Sequence, residues 1–179
     1  MRKISLFIAM SLDGYIADRG GGVDWLKGER EEAETPDVYG EFIREVDTVL
    51  MGYNTYRQVT QELSPGQWIY SDLTAYVFTH RRLDSSEGIF FTDEDPGELL
   101  ERLKAEEGKT IWVCGGADLI RQLMDGDLID QYYITVIPLL LGEGIRLFGR
   151  GGRELPLHLL RTQSYNGMTD LVYERRERP

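Results

Sequence analysis

Residues 111–124 read IWVCGGADLIRQLM, and they carry the clearest signal of the fold class. Its apolar start predicts a buried strand over 110–114, and the residues from Ala117 to Met124 predict a helix. Gly115 and Gly116 break the strand and let the backbone approach a ligand without an intervening Cβ. A strand that passes through a tight turn into a helix is typical of an α/β sheet.

Strands and helices alternate on both sides of this stretch. We predict further strands at 4–10, 48–51, 75–79, 89–91, 131–141, 155–165 and 169–175, and further helices at 53–59 and 96–106. The last two strands are joined by Asn166-Gly167, a strong hairpin signal. We therefore expect one α/β domain over residues 1–179, with a central, mainly parallel sheet, antiparallel C-terminal strands and flanking helices.

The composition excludes several classes of function. The chain has 179 residues with 20 Lys+Arg against 31 Asp+Glu, which gives a formal charge of −11. This charge excludes general electrostatic binding of nucleic acids, which needs a basic surface. The apolar runs are too short to span a membrane. Cys114 is the single cysteine and the two histidines are far apart, so we expect no disulfide, no metal site and a cytoplasmic setting.

Three predicted strands end in residues that suit phosphate. Gly52, Asn54 and Thr55 follow the strand at 48–51, Arg81 and Arg82 follow the strand at 75–79, and Gly115-Gly116 follows the strand at 110–114. Helix N-termini and arginines bind phosphate groups, and ligands of α/β sheets bind beyond the strands' carboxyl ends. Each feature taken alone also fits an ordinary turn or a solvated surface.

Other catalytic patterns are missing from the sequence. No G-x-G-x-x-G follows a strand, and there is no Walker loop and no G-x-S-x-G elbow. Cys114 ends an apolar strand, which favours a place in the core over a nucleophilic role.

A long polar loop over 18–36 precedes the first predicted helix. We expect Thr35 to cap this helix, Pro36 to occupy its first position and Asp37 to lie in its first turn. An apolar stripe then follows at Tyr39, Phe42, Ile43 and Val46.

Taken together, these segments resemble dihydrofolate reductase. The resemblance rests on IAMSLDGYIA (8–17), VLMGYNTY (49–56), VFTHRR (77–82), VCGGADLIRQLM (113–124), YYITVIP (132–138) and the final YERR (173–176). The SLDG motif and LLGEGIRLF (140–148) are more similar to the reductase domain of bacterial riboflavin biosynthesis, a branch of the same fold. The zinc deaminase motifs that often precede that domain are missing from this sequence.

The resemblance implies an NADPH-dependent oxidoreductase that transfers hydride to a pterin- or pyrimidine-like substrate, and a homodimer. It also implies a cis peptide bond between Gly115 and Gly116. The implied cofactor contacts are Ala9 and Ile16 beside the nicotinamide, Gly52, Asn54, Thr55, Gly115, Gly116, Ala117, Asp118 and Leu119 around the phosphates and ribose, and Arg81 and Arg82 at the 2′-phosphate. An alternative is a nucleotide-binding protein of the same fold without reductase activity.

Two positions depart from the related families. Tyr53 stands where dihydrofolate reductases usually carry an arginine, so one positively charged side chain that could bind phosphate is missing. Tyr15 stands where riboflavin reductases often carry a lysine, which weakens the case for a phosphoribosyl substrate.

A folate-type site needs a buried carboxylate, and Asp37 is the candidate catalytic acid. An acid at this place also stabilises the helix dipole, and the register could instead place Val38 at the catalytic position. Asp24 is a rival acid in the loop. By resemblance, Thr135 supports the acid, while Trp25 and Phe42 form the walls of a flat heteroaromatic site or pack in the core.

Overall fold

The computed structural model describes residues 1–31, 33–149 and 154–176. The strands are β1 (Ile4–Ser11), β2 (Tyr15–Ala17), β3 (Val46–Gly52), β4 (Thr74–Phe78), β5 (Ile89–Thr92), β6 (Thr110–Gly115), β7 (Gln131–Ile137), β8 (Ile145–Arg146), β9 (Leu157–Tyr165) and β10 (Met168–Arg175). The helices are α1 (Val38–Ile43), α2 (Tyr53–Gln58), which continues as one π-helical turn over Val59–Leu63, α3 (Pro96–Ala105) and α4 (Ala117–Asp125). No helix among the described residues is both long and apolar enough to cross a membrane.

Eight strands form the main sheet in the order β5-β4-β3-β6-β1-β7-β10-β9. The first six run parallel, and β10 and β9 are antiparallel additions at one side. The predicted fold class is therefore confirmed. Because the six parallel strands share one direction, their carboxyl ends meet at one edge, where ligands of such sheets bind.

Apolar side chains pack on both faces of the sheet. Successive residues of a strand point to opposite faces, so Leu50 joins the core under α3 and α4 while Val49 and Met51 join the core under α1. The central strands are apolar without alternation because both of their faces are covered.

The hairpin between β9 and β10 forms as the sequence predicts. Asn166 has φ 48° and Gly167 has φ 76°, so both central residues adopt the positive φ that a type I′ turn requires. Asparagine and glycine accept this conformation more easily than other residues. The turn fixes the register in which Asp170 of β10 faces Gln163 of β9.

Several predicted boundaries were wrong. Asp37, and not Thr35, is the N-cap of α1, because its carboxylate accepts a hydrogen bond from the Gly40 amide. Val46 belongs to β3 and not to the helix, whose periodic pattern ends at Ile43. The long strand at 131–141 stops at Ile137, just before Pro138. The short pairing of β2 with β8 was missed because strands of three and two residues carry no periodic signal.

Candidate functional site at the carboxyl edge of the sheet

The three glycine- and arginine-bearing segments predicted from sequence converge at this edge. β3 pairs Met51 with Gly115 of β6 and Gly52 with Phe78 of β4. The segments that leave β3, β4 and β6 therefore start side by side, although the paired residues Gly52 and Phe78 are 26 positions apart and Met51 and Gly115 are 64 positions apart. We call the backbone over 52–55 and 115–119 the glycine cradle.

The two halves of the cradle approach each other closely. A Cβ built on Gly52 would lie 3.6 Å from the Gly116 amide nitrogen, and one on Gly116 would lie 3.4 Å from Thr55 Oγ1. Side chains at these two positions would fill the space between the segments. The Gly115-Gly116 peptide bond is cis, as predicted.

Both cradle helices begin directly after a glycine. Gly52 is the N-cap of α2 and Gly116 is the N-cap of α4, so no N-cap side chain occupies the first-turn N–H groups. Asn54 is exposed, while Leu119 is buried in the core. Asp118 accepts a hydrogen bond from Arg121 Nη2 at 2.8 Å, so it is engaged along its own helix. The cradle thus presents backbone donors more than side chains, a pattern that suits anions.

From the end of β4, Arg81 reaches the cradle, and Arg82 follows it in the chain. Arg81 and Arg82 are exposed, and the Arg81 guanidinium carbon lies 4.9 Å from the centroid of the Tyr53 ring. A guanidinium over an aromatic face is stabilised by the ring quadrupole. Tyr53 is itself uncharged, but its ring holds the Arg81 guanidinium beside the cradle.

The central strand β1 is open at its carboxyl half. Ile4 and Leu6 are fully buried, whereas residues 7–10 are only partly buried although strands flank β1 on both sides. We infer from this exposure that the layer covering β1 leaves a cleft over residues 7–10, because a central strand with both faces covered is buried along its length. Ala9 lies in this open half, and Ile16 on β2 is likewise partly buried.

Polar residues continue across the sheet from Ala9. The strand register aligns Ala9 with Thr135 of β7, Thr135 with Asp170 of β10, and Asp170 with Gln163 of β9. Paired residues point to the same face, so these side chains form one row. Tyr165 lies on this face as well, two residues beyond Gln163.

Asp170 is a buried carboxylate that sequence reasoning missed. It is 3% exposed and accepts hydrogen bonds from Thr135 Oγ1 at 2.6 Å, Gln163 Nε2 at 2.9 Å and the Tyr165 hydroxyl at 3.2 Å. Burial and the neighbouring Asp170 raise the pKa of Tyr165 to about 12, so Tyr165 keeps its proton at neutral pH. The one available signal was strand alternation, which places Asp170 on the same face as the apolar Val172.

The predicted acid Asp37 lies outside this row. Its side chain is 69% exposed, caps α1 at Gly40 N and lies 3.4 Å from Arg44 Nη2. Val38 is the residue that turns into the core at this point. Asp24, the rival acid in the loop, is exposed.

The predicted aromatic walls occupy two different places. Phe42 is buried and stacks on Phe7 with ring centroids 4.6 Å apart, which is core packing beside the cleft. Trp25 is partly buried in the loop, where its indole N–H donates to the Gly22 carbonyl at 3.2 Å.

The loop over 18–36 is anchored on both sides of the edge. Gln58 Nε2 on α2 donates to the Gly21 carbonyl at 2.7 Å. Farther along the loop, Arg30 binds the side chain of Asn166 at the tip of the β9–β10 hairpin. The loop therefore runs from the cradle side of the edge to the Asp170 side.

The SLDG and LLGEG motifs contact each other. Asp13 accepts hydrogen bonds from Ser11 Oγ at 2.6 Å and from the amides of Leu141 and Gly142 at 3.0 and 2.8 Å. The Ser11 hydroxyl and these two amides lower the pKa of Asp13 to about 2. The two motifs thus hold the turn after β1 against the segment that precedes β8.

Two other features lie apart from this edge. Within the described ranges, no group of three or more His, Cys, Asp or Glu side chains is arranged to hold a metal ion. A cavity of about 320 Å³ lies between the N-terminus of α3 and the C-terminal end of α4, and no predicted site residue lines it.

The order of the strands and the glycine cradle at the carboxyl edge identify this chain as an α/β protein with the dihydrofolate reductase-like fold. Residues 2–173 match the model of the RibD C-terminal domain. The chain belongs to this family, which is pyrimidine reductase-like. The uncharacterized protein YwjB of Bacillus subtilis strain 168 is 42% identical over 176 residues, which cover 97% of this chain and 98% of YwjB.

Solved structures agree with the family assignment. A candidate riboflavin biosynthesis protein from Shewanella sp. PV-4 is 28% identical with a TM-score of 0.85, over 98% of this chain and 99% of that one. The Thermotoga maritima diaminohydroxyphosphoribosylaminopyrimidine deaminase/5-amino-6-(5-phosphoribosylamino)uracil reductase has a TM-score of 0.72 at 15% identity, over 98% of this chain and 57% of that one. At this identity the likeness shows the fold alone.

Proposed function

We propose that this protein is an NADPH-dependent reductase of a pyrimidine- or pterin-like heteroaromatic substrate. The observation that supports the proposal best is the convergence of the glycine cradle with the Arg81–Arg82 pair at one edge of the sheet. Membership in a pyrimidine reductase-like family supports the same reaction class.

The residues at the edge fit a phosphorylated dinucleotide. The cradle leaves a gap that a Cβ on Gly52 or Gly116 would enter, and free first-turn N–H groups suit a pyrophosphate. Arg81 and Arg82 would bind the 2′-phosphate that distinguishes NADPH from NADH. Ala9 and Ile16 would flank the nicotinamide, beside the open half of β1.

When bound, NADPH supplies the hydride. The chain's own contribution is to place the reacting groups side by side and to exclude water, for which the anchored 18–36 loop is suited. We assign the substrate side of the site to the polar row from Thr135 to Gln163, and we keep Trp25 and Phe42 as candidate substrate contacts. Because Asp37 is an exposed helix cap, its predicted catalytic role receives no support from its surroundings.

Titration of tryptophan fluorescence with NADPH and NADH tests the cofactor assignment. We expect saturable NADPH binding at micromolar concentration, and binding at least tenfold weaker for NADH or for an Arg81→Ala, Arg82→Ala variant. The matched control is Arg44→Ala, Arg176→Ala, which removes two exposed arginines elsewhere. Absence of NADPH binding, or equal loss in both variants, would overturn the cofactor assignment.

The alternative is a nucleotide-binding protein without reductase activity, and the exposure of Asp37 favours it. NADPH oxidation with dihydrofolate or with 5-amino-6-(5-phosphoribosylamino)uracil decides between the two. Turnover of either compound excludes the alternative. Saturable NADPH binding without turnover of any pyrimidine or pterin substrate would support it.

A further inference from the structure

Arg146 on β8 is an exposed cation that a buried tyrosine holds in place. Its guanidinium carbon lies 4.6 Å from the centroid of the Tyr15 ring, and its Nη2 donates to the Tyr15 hydroxyl at 3.0 Å. That hydroxyl donates its own proton to the Gly142 carbonyl at 3.1 Å, so its lone pairs accept from Arg146. Because Tyr15 is only 8% exposed, its ring is a fixed support for the guanidinium.

The charge of Arg146 is not neutralised by the part of the chain that the structure describes. Arg146 forms no ion pair there, although the sequence carries 31 acidic residues. The two carboxylates of the same region are engaged elsewhere, since Glu143 pairs with Arg19 and Asp13 accepts from the amides of residues 141 and 142. Arg146 therefore keeps most of its N–H donors for a partner outside the described chain.

Arg81 shows the same arrangement at the other end of the edge, over the ring of Tyr53. In the described ranges, Arg81 and Arg146 are the two arginines that lie over aromatic rings. An aromatic ring attracts a guanidinium through its quadrupole and leaves the positive charge in place, whereas a carboxylate cancels it. Both arginines are thus oriented and still able to bind an anion.

The paired strands β2 and β8 lie at the same edge as the cleft. β2 follows the open half of β1 after one tight turn, and the Tyr15 amide donates to Ser11 Oγ at the end of β1 at 3.0 Å. Ile16, the predicted neighbour of the nicotinamide, comes directly after Tyr15, and the 18–36 loop follows β2. This placement suits a ligand whose ring lies in the cleft and whose charged substituent reaches Arg146.

We propose that Arg146 is a specificity-determining residue that binds an oxyanion on the substrate, and that Tyr15 is its positioning residue. The inference rests on the proposed function and names the substrate class: a pyrimidine- or pterin-like ring whose substituent carries a phosphate or a carboxylate. Both groups accept two parallel hydrogen bonds from a guanidinium. The absence of a lysine at position 15 then argues no longer against a phosphorylated substrate, because β8 supplies the cation.

Two matched pairs of compounds test the proposal by their binding to the full chain without cofactor. The phosphate pair is 5-amino-6-(5-phosphoribosylamino)uracil and the same compound without its phosphate. The carboxylate pair is dihydrofolate and 6-methyl-7,8-dihydropterin. We expect the anionic member of one pair to bind at least tenfold more tightly than its neutral partner, by calorimetry or tryptophan fluorescence, and the pair that shows this preference identifies the oxyanion.

Variants assign the preference to Arg146 and its support. We expect Arg146→Ala to reduce the preference to less than twofold without changing the affinity for the neutral member, and Arg146→Lys to retain part of it. Tyr15→Leu should reduce the preference at least threefold, whereas Tyr15→Phe keeps the ring and should retain more. The matched control is Arg176→Ala, an exposed arginine that follows β10 at the opposite edge of the sheet.

The outcomes are separable from those of the cofactor test. Equal affinity within both pairs, no binding of any of the four compounds, or a preference that survives Arg146→Ala would overturn the proposal. If Tyr15→Leu does not fold, as judged by thermal melting, Arg146→Ala decides alone, because it changes an exposed side chain. NADPH binding without the preference rejects the anion site but not the reductase, whereas a preference that depends on Arg146 without NADPH binding rejects the reductase but not the anion site.

Discussion

Asn166 and Arg30 are joined by two hydrogen bonds, although 136 residues separate them. Asn166 Oδ1 accepts from the Arg30 amide at 2.8 Å, and Asn166 Nδ2 donates to the Arg30 carbonyl at 2.8 Å. One side chain thus satisfies both backbone groups of a loop residue. The residue that makes the tight turn of the hairpin also fixes the loop over the candidate site.

We expect Asn166→Gly to loosen the loop, because it removes both side-chain bonds to Arg30 and leaves only the bond from the Glu29 amide to the carbonyl of residue 166. The hairpin should stay intact, because glycine accepts the positive φ at this position. Limited digestion with trypsin checks this, since the loop offers Lys27 and Arg30 as cleavage sites. Cleavage there should accelerate about three- to tenfold, as expected for the loss of two hydrogen bonds that restrain local opening.

The matched control for the loop is Ser164→Ala. It removes a hydrogen bond to Thr169 within the same hairpin and does not reach the loop. Its digestion rate should equal that of the wild type. Equal rates for Asn166→Gly and the wild type would contradict the anchoring role of Asn166.

Two glycines of the LLGEG motif provide a stability test. Gly144 has φ 147°, and a Cβ there would overlap the Ala17 carbonyl oxygen, whereas Gly142 has φ 82° and open space around its Cβ position. We expect Gly144→Ala to lower the free energy of unfolding by about 3 kcal/mol or more, and Gly142→Ala by about 1–2 kcal/mol. Urea denaturation measures both, and similar losses for the two variants would contradict the steric argument.

Asp13 should make the protein sensitive to acid. Its pKa is lowered from the ordinary 3.8 to about 2 by the Ser11 hydroxyl and the amides of Leu141 and Gly142. A carboxyl whose folded pKa is lowered stabilises the fold above its unfolded pKa, and this contribution is lost as the pH falls through about 2.

We therefore expect Asp13→Asn to lose less stability than the wild type between about pH 5 and pH 2, measured by urea denaturation at each pH. Asp24→Asn, a change in the exposed part of the loop, should follow the wild-type curve. If Asp13→Asn also follows that curve, the ionised Asp13 contributes nothing to the contact between the two motifs.

Cys114 should be an unreactive thiol. Burial of its sulfur raises the pKa of the Cys114 thiol to about 12, so very little reactive thiolate forms at pH 8. We expect alkylation by iodoacetamide to be at least about 100-fold slower in the folded protein than in guanidinium chloride, where the same thiol serves as its own control. Rapid labelling of the folded protein would contradict this shielding of the partly buried thiol.

Much of the fold could be predicted because its signals are local. The turn at Gly115-Gly116 and the Asn166-Gly167 hairpin each depend on a few adjacent residues whose backbone preferences are strong. The start of α1 was less predictable, because Thr35 and Asp37 both carry side chains that cap helices. The structure selects Asp37, which leaves its carboxylate at the surface.

The candidate site also has one part that the sequence predicted and one part that it did not. The cradle was predictable, since glycines after strands must meet at the carboxyl edge of any parallel sheet. The pairing of Asp170 with Gln163 follows from the hairpin register, but Thr135 joins them only when β10 pairs with β7. The sequence does not indicate which strand lies on the other side of β10.

The order of strands and helices, the glycine turns and the family resemblance follow from the sequence by itself, because periodicity and turn chemistry act over a few neighbouring residues. Which carboxylate is buried beside the cleft, and how the 18–36 loop is held, followed only from the folded chain. The loop is held by a contact between residues 136 apart, and Asp170 is held by contacts with residues 7 and 35 positions away on neighbouring strands. A carboxylate is buried only where such pairing supplies its hydrogen-bond donors.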